Sequence, residues 1–276
     1  MKVALIDNGS VESAAHESLR AAASSVGACT DTRVEAVSWK HSDRIDPSAL
    51  RDGPAATLAP WIREQVAVGE REFLFVPFFI SPQGAIGSSL RRDLDRLSAE
   101  TGGFAYSFSD GLASRDVLPL ILADRVRETM AARGLRRPAL VVVDHGGPSR
   151  ASAQIRDQVA AAVGTELSAL VGGVRAASME TPEGPEFAFN RPLLEELLGG
   201  EGFSSGDVVI APLFLSPGRH AGKGGDLETI ASRAQERSPS LRCHFTGLVG
   251  SHHLPMPLAL SLSLPLPLPL PLPALR

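Results

Sequence analysis

The sequence predicts an α/β protein made of two similar domains, each a parallel sheet of about four strands flanked by helices. Two observations carry that prediction. Short runs rich in Val, Ile, Leu and Phe alternate with longer amphipathic stretches. Strands that are apolar on both faces and separated by helices belong to parallel sheets covered on both sides. Three short phrases also recur in the same order at nearly the same offset. That internal repeat argues for two sheets rather than one eight-stranded barrel.

The elements follow in chain order. Val3–Ile6 is the first apolar run and reads as a strand, followed by a helical pattern over Glu12–Ser25. Strands are expected next at Val34–Ser38 and at the aromatic run Phe73–Phe79. A helix over Ala85–Ala99, a strand at Phe104–Phe108 and a helix over Val117–Ala132 complete the first half. The second half begins with the strand Ala139–Val143 and the helix Ala151–Val163. Its remaining strands are Val171–Ala177, Val208–Phe214 and Arg242–Thr246, with a helix at Pro192–Leu198 between the first two. Each strand is a short apolar run and each helix a longer amphipathic pattern.

The repeat aligns the halves residue by residue. LIDNGS (5–10) matches VVDHGG (142–147) and sets Asn8 opposite His145 at an offset of 137. VEAVSWK (34–40) matches VRAASME (174–180) and sets Lys40 opposite Glu180 at an offset of 140. PFFISPQGA (77–85) matches PLFLSPGRH (212–220) and sets Ala85 opposite His220 at an offset of 135. The expected domains are 1–135 and 136–250, with the boundary near Gly134–Pro138. Residues 251–276 form a Leu/Pro tail with proline at every second position from Pro265 to Pro273. Alternating prolines remove backbone donors and clash with a helical turn, so a polyproline-II or disordered segment is expected rather than a membrane span. The working protein is expected to end near residue 250.

Composition excludes several classes. The chain has 276 residues, a net charge of −4 and 21% charged residues, so it offers no basic field for nucleic acid or an anionic membrane. Cys29 and Cys243 are far apart and in no CxxC pattern, which implies neither a zinc knuckle nor a disulfide framework. MKVALIDNGS lacks the apolar run of a signal peptide and meets Asp7 early. The cytoplasm is the expected location.

In the second half, each of the first three strands runs out into one ligand-type residue: His145, Glu180 and His220. In open parallel sheets, ligands bind outside the carboxyl ends of the strands. Two imidazoles and a carboxylate can meet there and hold a divalent first-row metal with positions left open. Gly146, Gly147 and Gly218 beside the histidines suggest backbone approaching something closely. Glu183 and Glu186 lie near Glu180 and could take its place. His16 sits in a helical pattern, His244 in the last strand, and His252 and His253 at the start of the tail; all are read as structural. His41 adjoins Lys40 at a strand end, where it could face the cleft between the halves. GRHAGKGG fails as a phosphate loop because Lys223 stands where a glycine is required. GFSSG (202–206) matches the nucleophile pattern but precedes a strand instead of following one.

A strand ending in HG, paired with a later one ending in PLFLSPGRH, resembles the class II tetrapyrrole chelatases, the sirohydrochlorin cobaltochelatases and ferrochelatases. The resemblance covers roughly residues 1 to 250. It implies an α/β protein, here in the duplicated form, binding a tetrapyrrole in the cleft between two domains. Carried across, the family's metal-handling histidines fall on His145 and His220 and its acidic residue on Glu180. Three features depart from the family pattern. Gly147 stands where HGS is usual, the stretch from His220 to Asp226 is longer than the usual spacing, and the first half carries Asn8, Lys40 and Ala85 in place of ligands.

The implied activity is insertion of Co²⁺ or Fe²⁺ into sirohydrochlorin or a related tetrapyrrole, in cobalamin or siroheme biosynthesis. No cofactor beyond the substrate metal is expected. His145, Glu180 and His220 are the expected catalytic and metal-binding residues. Gly146, Ser149, Arg150, Ser216, Gly218, Arg219 and Lys223, in or beside the histidine loops, are the candidates for holding the carboxylated substrate. The expected partners are the tetrapyrrole and the metal, with neither nucleic acid nor membrane, and the chain is expected to act as a monomeric pseudo-dimer. The rival reading is a non-catalytic metal or tetrapyrrole carrier on a degenerate chelatase scaffold.

Overall fold

A computed structural model of the chain describes residues 1–80, 89–109 and 117–252. The described residues form eight strands: β1 (Lys2–Asp7), β2 (Val34–Ser38), β3 (Glu72–Pro77), β4 (Ala105–Phe108), β5 (Ala139–Asp144), β6 (Gly173–Ser178), β7 (Gly206–Pro212) and β8 (Leu241–Phe245). They form two separate four-stranded sheets, β2-β1-β3-β4 and β6-β5-β7-β8. Every pairing is parallel. The helices are α1 (Ser13–Thr30), α2 (Leu58–Ala67), α3 (Arg91–Glu100), α4 (Val117–Arg133), α5 (Arg150–Glu166), α6 (Leu194–Leu197) and α7 (Asp226–Arg237). This is the expected pair of α/β sheets. Helices α2 and α7 fill two further gaps between strands, in keeping with the alternation of short apolar runs and longer amphipathic stretches. Ala85 and His253 lie outside the described residues, as does the tail beyond His252.

The two sheets share one register. Asp7 pairs with Ser38 as Asp144 pairs with Ser178. Ile6 pairs with Pro77 as Val143 pairs with Pro212. These pairs carry the same offsets of 137, 140 and 135 that relate the repeated phrases. The third strand of each half stops at its proline, two residues earlier than the apolar run suggests, because proline has no N–H for the ladder.

A glycine is required at one equivalent point in each half. Gly9 has φ +83° and Gly146 φ +84°. A Cβ on Gly9 would lie 1.7 Å from the Lys40 carbonyl oxygen, and one on Gly146 would lie 1.9 Å from that of Glu180. The turn after the first strand thus rests directly on the end of the second. The amide of Lys40 donates to the Asn8 carbonyl at 3.1 Å, and that of Glu180 donates to the His145 carbonyl at 3.0 Å.

Alternation along the strands divides the core. Val3, Leu5, Leu74 and Val76 point to one side, as do Leu140, Val142, Val209 and Ala211, and these two sets meet in a single buried cluster. Helices α1, α4 and α5 fill the space between them through Leu19, Leu122 and Val163. The opposite faces build separate clusters, around Phe73, Phe75 and Trp61 in the first half and Val141, Ile210 and Leu227 in the second. The two sheets are therefore joined through a shared apolar layer, and full burial of a Leu- or Val-sized side chain there contributes roughly 1.5–3 kcal/mol. Residues Val249–Ser251 close one end of that layer. Val249 is fully buried, its amide donates to the Phe214 carbonyl at 3.0 Å, and Arg125 of α4 donates to Ser251 Oγ at 2.9 Å.

Candidate functional site

The carboxyl ends of β1, β3, β5 and β7 border one cleft of about 500 Å³, a size suited to a small organic ligand. Its first-half wall includes Asp7, Asn8 and Phe78–Ile80; its second-half wall includes His145 and Leu213–His220. A smaller cavity of about 250 Å³ lies beside it, reached past Ile80 and His145 and floored by Gly147, Ser149 and Asn190. A larger hollow of about 790 Å³ opens at the other end of the second sheet, near Gly173, Arg175 and Gly206. That end carries the strand starts, where parallel sheets do not gather ligand-binding loops, so the cleft at the strand ends is the candidate site.

His145 and His220 come together there, with ring centroids 4.6 Å apart in an edge-to-face arrangement. The local turns explain how. Gly146 lets the chain turn over the Glu180 carbonyl and leaves His145 at the rim. After His220, Gly222 and Gly225 fold the loop back on itself, so that the Asp226 amide reaches the Arg219 carbonyl and the Leu227 amide the His220 carbonyl. A side chain at Gly225 would lie 2.9–3.0 Å from the carbonyls of Arg219, Gly222 and His220.

Each imidazole has one nitrogen engaged. His145 Nδ1 lies 2.9 Å from the Gly146 carbonyl oxygen, and His220 Nδ1 lies 2.6 Å from Asp226 Oδ2. A carbonyl or a carboxylate only accepts, so Nδ1 carries the proton in both rings. Nε2 of each ring is thereby the nitrogen left to face a ligand, with orientation supplied from behind as in metal-binding histidines generally. Glu180 Oε1 lies 3.5 Å from His145 Nε2. Glu183 and Glu186 are exposed on the following loop and form no ion pair with either imidazole. Among the described residues, no three His, Cys, Asp or Glu side chains form a preassembled metal cage. The two imidazoles and Glu180 are neighbours at an open rim.

Behind this rim sits a buried network. Asp144 Oδ1 accepts from Ser178 Oγ at 2.7 Å and lies 3.5 Å from Arg156, a side chain that is almost wholly buried. Arg156 also donates to Ser178 Oγ and to the Phe189 carbonyl at 3.0 Å. Burial raises the Asp144 carboxyl pKa, against the opposing pull of Ser178 and Arg156. Asn190 ties the HGG turn to the Glu180 loop: its Oδ1 accepts from the Gly147 amide at 3.2 Å, and its Nδ2 donates to the Gly147 carbonyl at 2.9 Å and to Thr181 Oγ1 at 3.2 Å.

The other expected residues distribute unevenly. Ser216, Gly218 and Arg219 line the main cleft. Ser149 lines the smaller cavity and caps α5 by accepting from the Ser152 amide. Gly146 borders the smaller cavity. Arg150 stacks over Phe189, 4.7 Å from the ring centroid, and Lys223 is exposed and borders neither cavity. In the first half, Asn8 lines the main cleft, whereas Lys40 lies over the Trp39 ring at 3.8 Å and 3.9 Å from Asp93. His41 is exposed and outside the cleft lining. His16 is buried in α1 and His244 pairs with Asp207 at 2.9 Å. The residues Asn190, Arg156 and Asp7 were not singled out by motif. Their signals are a lone asparagine and arginine within otherwise ordinary stretches, and an aspartate that recurs before both Asn8 and His145.

No protein-family model matches the chain, and no curated protein matches it in sequence. Solved structures do match. SirB from Bacillus subtilis with Fe³⁺ aligns over 95% of this chain and 94% of its own, with a TM-score of 0.67 and 14% identity. The sirohydrochlorin chelatase SirB from Bacillus subtilis subspecies spizizenii, in complex with cobalt, aligns over the same shares with a TM-score of 0.67 and 13% identity. CbiX, described as the terminal enzyme for siroheme biosynthesis in denitrifying bacteria, aligns over 97% of this chain and all of its own, with a TM-score of 0.58 and 19% identity. With two like-registered parallel sheets facing one cleft, the chain has the class II tetrapyrrole chelatase fold in its duplicated form.

Proposed function

We propose that the chain inserts a divalent metal, Co²⁺ or Fe²⁺, into sirohydrochlorin or a closely related tetrapyrrole, with His145, His220 and Glu180 handling the metal. The observation that carries this reading is the pair of imidazoles whose Nδ1 atoms are both tied back while their rings meet at a cleft between the two sheets. Similarity to SirB structures holding iron and cobalt supports the choice of metals.

The chemistry suits these residues. Insertion requires a hydrated M²⁺ to shed water, exchange ligands stepwise and displace two pyrrole N–H protons. Neutral imidazole binds such metals well but in small number leaves positions for incoming nitrogens. Glu180 lies close enough to His145 to add a third, exposed donor during capture. Asp226 holds the His220 ring in one orientation and fixes its tautomer. Phe78, Phe79 and Leu213–Leu215 give the cleft apolar walls against which a flat macrocycle can lie. Arg219 and Ser216, which line the cleft, and the N-terminus of α5 at Ser149 would supply donors for its carboxylates.

The test is absorbance-monitored insertion with purified protein, sirohydrochlorin and Co²⁺, Fe²⁺ or Ni²⁺ in parallel. Multiple turnovers in the wild type, lost in His145→Ala and His220→Ala, are expected. Insertion no faster than the uncatalysed rate would sink the reading. Tight stoichiometric binding without turnover would favour the carrier, a reading motivated by the first half carrying Asn8, Lys40 and Ala85 at the three ligand positions.

A further inference from the structure

Asp7 ends β1 and lines the same cleft as His145 and His220, from the opposite half. Its Oδ1 is sealed from solvent and meets no hydrogen-bond donor. A buried acceptor without a donor is destabilising, and native structures seldom keep one without a role for it. The equivalent residue of the second half, Asp144, is not in this state, because Ser178 and Arg156 occupy it. In the first half, the 137-residue offset puts Leu19 in the place of Arg156, and Ser38, which also supports the Asp7 carboxyl, lies 3.2 Å from His16 Nδ1. Among the described residues, no buried arginine or lysine therefore stands where Arg156 stands beside Asp144.

The groups around Asp7 come from every side. His16 approaches from α1 with an unpartnered Nε2, and Ser38 from β2. The Gly9 amide lies on its own turn. His145, His220 and Arg219 stand on the far wall of the cleft. Burial pushes the Asp7 carboxyl up to about 6, against the weaker opposing effects of Ser38 and the Gly9 amide. A carboxyl so placed exchanges its proton near neutrality, which is what a general base needs. Burial likewise lowers His16, to about 4, so that ring stays neutral and does not pin Asp7 as an ion pair.

Resting on the chelatase reading above, we infer that Asp7 is a catalytic residue that accepts a pyrrole proton from the face of the macrocycle opposite the metal-carrying histidines. One N–H bond breaks, its electron pair stays on nitrogen and becomes the new bond to the metal, and the proton passes to the Asp7 carboxylate. The second N–H proton passes to water, and Asp7 returns its own to solvent when the product leaves. Two protons are thus released for one M²⁺ inserted, with no oxidation or reduction. The division of labour is physical: a base on the histidine side would compete for the metal, whereas one on the opposite wall does not.

The experiment compares wild type, Asp7→Asn and Asp7→Ala for insertion of Co²⁺ into sirohydrochlorin, Co²⁺ binding without tetrapyrrole, and thermal melting at pH 7. In Asp7→Asn, kcat is expected to fall about a hundredfold or more with KM changed by less than about threefold, Co²⁺ affinity unchanged and the melting temperature raised. Added formate is expected to restore part of the rate of Asp7→Ala, an effect that a merely structural role would not produce. A wild-type kcat in Asp7→Asn, or a joint loss of kcat and Co²⁺ binding in a folded variant, overturns the inference alone. A wild type inactive with both cobalt and iron overturns the chelatase reading and this inference with it.

Discussion

The ends of β1 and β5 occupy equivalent places in the two sheets, with the same register and the same obligatory glycine two residues on. Around that shared backbone the side chains diverge. Asp144 is held by Ser178 and a buried Arg156, and it stands next to a histidine at the cleft. Asp7 faces a buried neutral His16 across Ser38 and stands next to Asn8. The constraint that survives duplication is the one imposed by backbone geometry, since a Cβ at Gly9 or Gly146 would overlap a carbonyl oxygen. Polar side chains in the two copies are bound by no such rule. The comparison predicts that the second half loses stability when its polar network is cut, while the first keeps its stability at the corresponding points.

Arg156→Met should have the largest effect on stability. It leaves Asp144 without its buried cation and the Phe189 carbonyl without its donor. Breaking such a pair costs about 3–5 kcal/mol. A substitution within the apolar class at the corresponding Leu19, such as Leu19→Met, should cost less than about 1.5 kcal/mol. Denaturant melts of the two variants test this, and equal losses would show that the halves do not differ as described.

For activity, His145→Ala and His220→Ala should each lower metal insertion about a hundredfold or more, because even outer partners of a ligating imidazole are worth 10–100-fold. Asn8→Ala and Lys40→Ala should change it by less than about fivefold; Lys40 is tied to Trp39 and Asp93 and does not line the cleft. Asp226→Asn should fall between, with Co²⁺ affinity reduced about 10–100-fold. The amide would keep the shape but no longer hold the His220 Nδ1 proton with a full charge. Calorimetric titration of Co²⁺ separates these cases from loss of tetrapyrrole binding.

The fold was legible because its signals are local. Most strands are short apolar runs, and LIDNGS against VVDHGG is visible without coordinates. The sequence also marked the His145–His220 meeting, since both residues follow strands that pair with each other in the sheet. What it could not show are contacts made by chain reversal or across helices. Asp226 reaches His220 only because Gly222 and Gly225 fold the loop back, a contact that linear spacing does not reveal. Arg156 lies in α5, a helix whose pattern gives no hint that one cation is turned inward. The central cluster drawn from both halves was equally hidden, because periodicity says which face of a strand is apolar but not which sheet covers it.

The smallest expected effect tests Asp7 against His16 by pH. Asp7 has a raised carboxyl, from 3.8 to about 6, so its neutral form favours the fold. That stabilisation is fully present below pH 3.8 and is lost as pH rises through 6. His16 is lowered from 6.5 to about 4, so its stabilisation is present above pH 6.5 and is lost as pH falls through 4. At 1.36 kcal/mol per pKa unit, each change amounts to about 2–3 kcal/mol between pH 7 and pH 4. They have opposite signs, so together the pair leaves a net change below about 1 kcal/mol in the wild type. Single substitutions expose the two parts. The stability advantage of Asp7→Asn over wild type should shrink by about 2 kcal/mol on going from pH 7 to pH 4. His16→Gln, which can still reach Ser38, should gain on wild type by a similar amount over the same interval. Chemical denaturation at the two pH values reads both differences directly. Parallel curves for all three proteins would mean that Asp7 and His16 titrate as exposed groups, and the contrast with the ion-paired Asp144 would lose its physical basis.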